Sequence, residues 1–455
     1  RPGAKMCLDY ELPRAAAYAG LAHTEPCAAC PLKGECGYRL QRGEEADLWL
    51  IAHNAGFHAK PGGLPEAALT FWDEAFWPAG LAGTDEPIEL PLGDLLDERT
   101  GPVTGIERMR LLDLRRRVHD ALEGHEVGGL LRSVFADAGL TVESANEWKQ
   151  LEWQTKPTVN LDGVADRGDI LERLRVAQGA GFNRKRALLA QYARDLLEGD
   201  TPRSISVMMA PSGGDIQFAW REDFAAWVAD APKLFLDGTS ALELVKMWAP
   251  ALTVEDIEVS TPHQHVRQIV GAEFGRSRFV QNPNNVRRLA DLVVIDLADT
   301  KGDVLVIAQL AVKKLLGAEL MTRFGGVMPS RLHLAHHGAV TGMDLWGQAE
   351  RVIVVGRPAT NRRIGERLTE IITGKPVATV AEDEESKWPT VAAGIRMADG
   401  TGRGVRQPQH PDPMVEAVRW SISEGAVLQA LGRGRGVQRT ARNPLVVTVM
   451  AELAL

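Results

Sequence analysis

The stretch GDVLVIAQLAVKKLL, residues 302–316, opens a series of apolar runs in the second half of the chain. Three further runs follow it, at RLHLAHHG (331–338), RVIVVGRP (351–358) and NPLVVTVM (443–450), with a helical segment at 415–431 before the last. Strands that alternate with helices are typical of a parallel sheet covered by helices. The pattern predicts one α/β lobe over residues 253–455.

The first half of the chain has strand-like runs on both sides of a helical region. ADLWLIAHN (46–54) and ALTFWDEAFW (68–77) each combine an apolar run with polar residues at its end, as buried parallel strands do. ISVMMAP (205–211) and PKLFLDGTS (232–240) are expected to rejoin the same sheet. These runs predict another α/β lobe, which is split in sequence into residues 46–90 and 203–252.

The region between these two parts has helical periodicity. Leu111, Leu114, Val118 and Leu122 recur at the spacing of one helix face. We therefore predict a mostly helical insertion over residues 91–202.

Length and charge limit the class of protein. The chain has 455 residues, more than one hydrophobic core usually serves, and a net charge of −8. A negative net charge means that contact with nucleic acid requires a local basic groove. No apolar run reaches the roughly 18 residues that span a bilayer, so we expect a cytoplasmic protein.

The cysteines lie close together near the start of the chain. Cys7, Cys27, Cys30 and Cys36 are separated by 19, 2 and 5 residues, and the chain has no other cysteine. Clustering of this kind favours one shared metal site over a disulfide framework. Four thiolates suit zinc or an iron–sulfur cluster, although structural zinc more often uses two Cys-x-x-Cys pairs. Unliganded core thiols are the third alternative. Residues 1–45 have too few apolar side chains for a core of their own, so metal bonds are expected to stabilise them.

Acidic and hydroxyl residues follow several of the predicted strands. Asp73 and Glu74 follow an apolar run, where nucleotide hydrolases place a metal-holding Asp and a water-activating acid. The alternative is that they cap a helix. Other candidates in similar positions are Asp237, Thr239, Ser240, Gly342 and Asp344.

A dense set of arginines lies between the last predicted helix and the last strand. Gln429 precedes Arg433, Arg435, Arg439 and Arg442 in this segment. Arginine stabilises transferring phosphate charge through two parallel hydrogen bonds. The alternatives are a basic surface loop and a patch that contacts nucleic-acid backbone without catalysis.

Taken in order, these segments resemble the motifs of superfamily 2 helicases. WDEAF (72–76) looks like the second motif, LDGTS (236–240) the third, TGMDL through VIVVGRP (341–358) the fifth and QALGRGRG (429–436) the sixth. Cysteines before the Asp-Glu motif and a helical insertion after it are similar to the iron–sulfur branch, of the XPD and DinG type. The resemblance covers nearly the whole chain.

The resemblance implies two RecA-like lobes and an ATP-dependent helicase that moves on single-stranded or forked DNA in the 5′ to 3′ direction. It implies that Asp73 holds Mg²⁺ through water, that Glu74 activates the attacking water, and that Gln429 and Arg433 face the γ-phosphate. Asp237, Thr239, Ser240, Gly342 and Asp344 would couple the nucleotide state to the DNA track. The four cysteines would hold a [4Fe–4S] cluster, with zinc as the alternative, beside Tyr38, Arg39 and Arg42 for contact with DNA.

Two departures from the family pattern affect the catalytic residues. Gly436 stands where the family has its second arginine, so Arg435 or Arg439 would have to serve. The sequence contains no G-x-x-x-x-G-K-[ST] phosphate loop. We expect that loop to precede Arg1 in the parent protein, and we expect the present chain alone to be inactive. The alternative is a helicase-like protein that binds single strands without hydrolysing ATP.

Overall fold

Two units of the chain each build their own hydrophobic core. The computed structural model describes residues 6–43, 45–164, 166–239, 241–340, 342–378, 380 and 387–454. Unit 1 comprises Arg1–Thr70 and Ala79–Pro232, and unit 2 comprises Phe71–Pro78 and Lys233–Leu455.

The helices and strands are numbered here in chain order. The α-helices are α1 (Glu11–Tyr18), α2 (Gly37–Leu40), α3 (Gly105–Leu122), α4 (Arg132–Asp137), α5 (Val142–Gln154), α6 (Arg167–Gln178), α7 (Arg184–Glu198), α8 (Ala226–Ala229), α9 (Leu242–Lys246), α10 (Arg276–Gln281), α11 (Pro283–Ala298), α12 (Leu310–Arg323), α13 (Arg362–Thr373), α14 (Pro413–Trp420) and α15 (Ala426–Gly432). The strands are β1 (Thr70–Asp73), β2 (Leu81–Ala82), β3 (Ile88–Pro91), β4 (Gly128–Leu131), β5 (Arg203–Met209), β6 (Asp215–Phe218), β7 (Trp220–Arg221), β8 (Lys233–Leu236), β9 (Gln264–Gln268), β10 (Val304–Ala308), β11 (Leu332–His336), β12 (Arg351–Val355), β13 (Thr390–Arg396), β14 (Gly402–Pro408) and β15 (Leu445–Met450). Among the described helices, none combines the length and apolar character that crossing a bilayer requires.

The core of unit 2 is a parallel sheet with the strand order β11-β10-β12-β15-β9. All five residues of β10 are buried, as expected for a central strand covered on both faces. Val304 and Val306 pack with side chains of α11 and α12, whereas Leu305 and Ile307 pack with side chains of α15. The predicted α/β class, with a parallel sheet flanked by helices, is confirmed.

Strands β1 and β8 form a separate two-stranded sheet. The N–H of Thr70 donates to Pro232 O and the N–H of Glu74 donates to Leu236 O, both at 2.9 Å, so the strands run parallel. The strand predicted over 46–54 is wrong: the described residues there form no strand, and Leu48 and Leu50 are 70% and 91% exposed. An apolar run without a neighbouring strand to take up its backbone groups does not become a strand.

Unit 1 contains an antiparallel sheet with the order β3-β6-β5-β4. The prediction that 205–211 rejoins the parallel sheet is wrong, because β5 pairs with β6 in a hairpin. Gly213, with φ +72°, lies in the intervening turn, and the N–H of Ala210 donates to Asp215 O at 2.8 Å. Pairing across a short turn costs less chain entropy than pairing with a distant strand. The Ser-Gly-Gly turn was the signal in the sequence.

The predicted helical region forms α3 to α7. Helices α3, α4, α5 and α7 share a hydrophobic core with this antiparallel sheet, whereas α6 packs with α1. Leu111, Leu114, Val118 and Leu122 are all completely buried on one side of α3, as their spacing predicts. The boundaries proposed for the individual domains stay predictions.

A buried ion network joins three helices of unit 1. Glu152 on α5 accepts two hydrogen bonds of 2.7 Å from Arg115 on α3, and one of 3.2 Å from Arg186 on α7. Trp148 Nε1 donates to the same carboxylate at 2.9 Å. The side chains of Arg115 and Glu152 are 0% exposed. The Glu152 carboxylate is therefore shared by two buried guanidinium groups, and Arg186 has a second, longer ion pair with Asp97 at 3.4 Å.

Replacing the shared carboxylate is expected to destabilise unit 1 strongly. Glu152→Ala leaves the buried Arg115 without a carboxylate and leaves Arg186 with the 3.4 Å pair to Asp97, which costs roughly 3–5 kcal/mol of unfolding free energy. The matched control is Glu147→Ala, which breaks the half-exposed pair with Arg110 and is expected to cost at most about 1 kcal/mol. Urea unfolding measures both. Equal losses in the two variants would contradict the role of the network.

Candidate functional site

Glu74 lies directly after β1 in a conformation that non-glycine residues rarely adopt. Its φ is +59°, in the left-handed region, which is strained for an L-amino acid. Its backbone N–H is fixed by Leu236 O of β8. Strain of this kind is maintained where the surrounding structure requires a particular side-chain position, often at a functional site.

The Glu74 carboxylate is bound by groups from distant parts of unit 2. Arg433, which follows α15, forms an ion pair with Glu74 Oε1, and the N–H of Gly342 donates to Glu74 Oε2 at 3.2 Å. Arg433 Nη1 also donates to Met343 O at 3.0 Å. Both charged side chains are largely buried, at 20% and 12% exposure. Three of the predicted motifs therefore meet at one acid.

Asp344 and Arg435 form a second ion pair nearby. Arg435 Nε donates to Asp344 Oδ1 at 2.9 Å, and this hydrogen bond lowers the pKa of Asp344 and raises the pKa of Arg435. The charge of Asp73 also raises the pKa of Arg435, although by less. Arg435 itself has φ +51°. The Asp73 carboxylate is therefore close enough to Arg435 for electrostatic interaction.

The predicted third motif is bound to the arginine segment through α15. Asp237 Oδ1 accepts hydrogen bonds from the N–H and Oγ1 of Thr239, at 2.7 and 2.8 Å. Gln429 Nε2 donates to Thr239 Oγ1 at 3.2 Å. Ser240, the remaining candidate in this motif, lies outside the described residues.

Arg439 has a different role from Arg433 and Arg435. It is 6% exposed, and its guanidinium donates to the backbone carbonyls of Gly434, Gly347 and Ala349. Burial lowers its pKa. Because its guanidinium is bound to these carbonyls, Arg439 holds the segment of residues 433–442 in place. Of the two candidates for the second arginine of the family pattern, Arg435 is the one that lies beside the acids.

The sequence analysis missed a buried acid between α14 and α15. Ser421–Gly425 form a π-helical turn, a feature often found at functional sites, and Glu424 within it is 0% exposed. Its carboxylate accepts hydrogen bonds from Arg419 at 2.9 and 3.0 Å and from Arg357, just after β12, at 3.1 Å. In the same turn, Ser421 Oγ accepts a hydrogen bond of 3.0 Å from Trp77 Nε1. The available signal was a glutamate next to the apolar residues of a helical run, with Arg419 five positions before it.

The four cysteines come together in unit 1. All four line one small cavity, no disulfide joins them, and Cys36 is buried. Burial, followed by the proximity of Cys7, Cys30 and Cys36, raises the pKa of the Cys27 thiol. Across the described residues, no group of three or more His, Cys, Asp or Glu side chains has an arrangement that could hold a metal ion.

The cysteine segment is attached to α6 by an apolar cluster and an ion pair. Leu12 and Ala16 of α1 pack with Ile170 and Leu174 of α6, with the half-buried Cys30 at the edge of the cluster. Arg167 Nε donates to Asp9 Oδ2 at 2.6 Å, and this hydrogen bond lowers the pKa of Asp9. The segment thus depends on the insertion for part of its stability.

The predicted DNA-contacting residues lie beside the cysteines. Arg42 stacks on the Tyr38 ring with its guanidinium carbon 4.1 Å from the ring centroid, and Arg39 Nη1 donates to Cys27 O at 2.9 Å. These three residues line an open cavity of about 440 Å³ together with Cys27. One face of the Tyr38 ring is therefore covered by a cation of the same segment.

Two solved structures show similarity to the chain at low identity. One, titled XPD helicase, is 9% identical with a TM-score of 0.38, over 88% of this chain and 68% of that chain. The other, titled a structure of Xpd4 from S. tokodaii, is 12% identical with a TM-score of 0.33, over 88% of this chain and 74% of that chain. No protein-family model and no curated protein sequence matches the chain. Scores of this size carry no argument about function, which is drawn below from the residues.

Proposed function

We propose that the chain functions in an ATP-dependent DNA helicase. The observation that carries the proposal is the meeting of Glu74, Gly342 and Arg433 within unit 2, with Asp344 and Arg435 beside them. Glu74 is 268 positions from Gly342 and 359 positions from Arg433. An acid that accepts a proton, next to arginines that bind phosphate oxygens, is the chemistry that phosphoryl transfer requires.

Each residue has a proposed role in hydrolysis. Glu74 orients and deprotonates the attacking water, and Arg433, with Gln429, stabilises negative charge on the transferring phosphate. Asp73 supplies a single carboxylate of the kind that binds Mg²⁺ through water, and that ion would offset charge on the phosphates. Asp237, Thr239, Gly342 and Asp344 couple the nucleotide to the rest of unit 2.

We propose that Glu74 and Arg433 change partners when a triphosphate binds. The acid and the guanidinium neutralise each other, so neither is available for chemistry. A bound triphosphate competes for Arg433, because phosphate is a strong bidentate acceptor for arginine. Glu74 is then released to act on water.

The nucleic-acid partner is proposed to be single-stranded or forked DNA, with movement in the 5′ to 3′ direction. The net charge of −8 restricts phosphate contacts to local basic surfaces. Arg39, Arg42 and Tyr38 form one such surface, since aromatic rings stack on bases and guanidinium groups bind phosphates. A cytoplasmic location is part of the same proposal.

The cysteine centre is proposed to hold a [4Fe–4S] cluster, with zinc as the alternative. Four thiols that line one cavity are the type of donor that both groups take, although the described side chains do not have the arrangement of a metal site. Cys7, Cys27, Cys30 and Cys36 would be the ligands. Metal–thiolate bonds would then stabilise the folded segment and remove the cost of burying thiols so close together.

A non-catalytic protein that binds single-stranded nucleic acid is the second candidate. The observation that favours it is the lack of a G-x-x-x-x-G-K-[ST] loop in these 455 residues. The amides and lysine of such a loop bind the β- and γ-phosphates.

The 455-residue chain is expected to show no ATP hydrolysis that depends on single-stranded DNA, because it lacks this loop. A phosphate-release assay tests this, with Glu74→Gln as the control for the site. Turnover that disappears in Glu74→Gln would show that another segment of the chain replaces the loop.

Arg433→Ala is expected to leave DNA affinity within about twofold, because its guanidinium is bound to Glu74. When a phosphate loop is provided N-terminal to the chain, the same substitution should reduce hydrolysis by about 10³-fold or more, as loss of an arginine finger does. Fluorescence anisotropy measures the affinity, with Arg42→Ala as the comparison. A shallower salt dependence in Arg433→Ala would assign Arg433 to the DNA backbone instead.

Purified without oxygen, the protein is expected to be brown and to contain about four iron and four acid-labile sulfide per chain. Cys36→Ser should lose the colour and most of the iron, because one ligand is removed. Metal and sulfide analysis provides the measurement. Colourless protein with one zinc per chain and no sulfide, from iron-replete cells, would replace the cluster by zinc and keep the four ligands.

A further inference from the structure

A two-stranded hairpin extends the second unit between α13 and α14. Strands β13 and β14 pair antiparallel from Thr390↔Pro408 to Arg396↔Gly402. The turn at the tip is closed by Asp399, whose Oδ1 accepts hydrogen bonds from the N–H and Oγ1 of Thr401 at 2.9 and 2.7 Å. None of the motifs discussed above involves this hairpin.

The base of the hairpin is firmly held. Trp388 Nε1 donates to Thr360 O at 2.7 Å, and its ring lies so close to α13 that a Cβ on Gly365 would come within 2.5 Å of it. The N–H of Gln409 donates to Pro389 O at 2.9 Å, and Gln407 Oε1 accepts a hydrogen bond from the N–H of Ala454 at 3.0 Å. An isolated hairpin is marginally stable, so these contacts keep the ribbon in a defined position.

The charge of the hairpin is opposite to that of the whole chain. It carries Arg396, Arg403 and Arg406, against one acid, Asp399, which is engaged in the turn. All three arginines are exposed, and none of their guanidinium groups pairs with another side chain in the part of the chain that the structure describes. With a net charge of −8 over the whole chain, three unpaired arginines on one ribbon form a local basic surface.

The placement of the arginines fits a duplex. Arg396 and Arg406 share one face, because Arg396 is opposite Gly402 and Arg406 is opposite Ala392. They are about 14 Å apart along the strands, which is comparable to the ~12 Å width of the major groove of DNA. Arg403 extends from the other face. A groove of that width admits a two-stranded ribbon.

The composition of the hairpin indicates contact with the sugar–phosphate backbone of DNA and not with the bases. Residues 390–408 contain no aromatic side chain, whereas surfaces that bind single strands stack bases on aromatic rings. Gly394, Gly402 and Gly404 have open space where a Cβ would be, so packing inside the protein does not require them. They leave room for the sugar–phosphate backbone beside the arginines.

We propose that the β13–β14 hairpin lies in a groove of duplex DNA and binds its phosphates through Arg396, Arg403 and Arg406. The inference rests on the proposed function to the extent that the chain acts on DNA. In this proposal, the hairpin of unit 2 contacts the duplex that adjoins the single strand, and other residues contact the single strand itself.

The test measures binding of the 455-residue chain to a duplex and to a single strand of equal length, over a range of salt concentrations. Arg396→Ala, Arg403→Ala and Arg406→Ala combined should weaken duplex binding about tenfold or more. The slope of log K against log salt should become shallower by about 2 to 3, since each phosphate contact contributes about 0.9. Single-strand affinity should change by less than about twofold. The corresponding triple lysine variant should keep most of the slope.

The matched control is the triple alanine variant of Arg116, Arg288 and Arg363, which are also exposed and lack a side-chain partner among the described residues. Thermal unfolding of all variants checks that the fold is kept. If the hairpin variant bound the duplex as tightly as this control variant does, the proposal would be overturned. If the hairpin variant lost equal affinity for duplex and for single strand, the assignment of the hairpin to the duplex would be overturned. If the unsubstituted chain bound neither DNA, the proposed function would fail together with the hairpin proposal, whereas the first two outcomes leave the proposed function standing.

Discussion

Burial of the central parallel strands on both faces is the constraint on which unit 2 depends. Val304 to Ala308 and Val352 to Val355 are all buried, and each such aliphatic side chain contributes on the order of 1.5–3 kcal/mol. Strands that are covered on both faces leave the strand ends and the connecting loops as the main positions for polar groups. The chemistry of this unit is therefore concentrated in the segments that precede or follow strands.

The arginines of the segment after α15 illustrate how environment assigns roles to chemically identical side chains. Arg439 is buried among backbone carbonyls and fixes the path of the segment. Arg433 reaches Glu74, and Arg435 reaches Asp344. Since Arg439 holds the backbone, the other two guanidinium groups are placed beside acids. The basic hairpin at 390–408 differs again, because none of its arginines pairs with a side chain of the described residues.

Much of this organisation is visible in the residue pattern. Leu111, Leu114, Val118 and Leu122 predict the buried face of α3, because helix periodicity depends only on local spacing. The apolar runs at 304–308 and 351–355 predict buried strands for the same reason. The spacing of the cysteines predicts that they cluster, since three of the four lie within ten residues. The run at 46–54 shows the limit of this reasoning, because an apolar segment becomes a strand only when another strand pairs with it.

The sequence by itself therefore determined the α/β class, the helical face of the insertion, the cysteine cluster and the identity of the candidate acids and arginines. Only the tertiary structure decided which acid meets which arginine, that 205–211 joins an antiparallel sheet, and that Glu424 is buried between Arg357 and Arg419. The physical reason is the separation along the chain over which each effect acts. Propensity and periodicity act over a few residues, whereas ion pairs such as Glu74–Arg433 join groups 359 positions apart, and their geometry exists only once the strands and helices have packed.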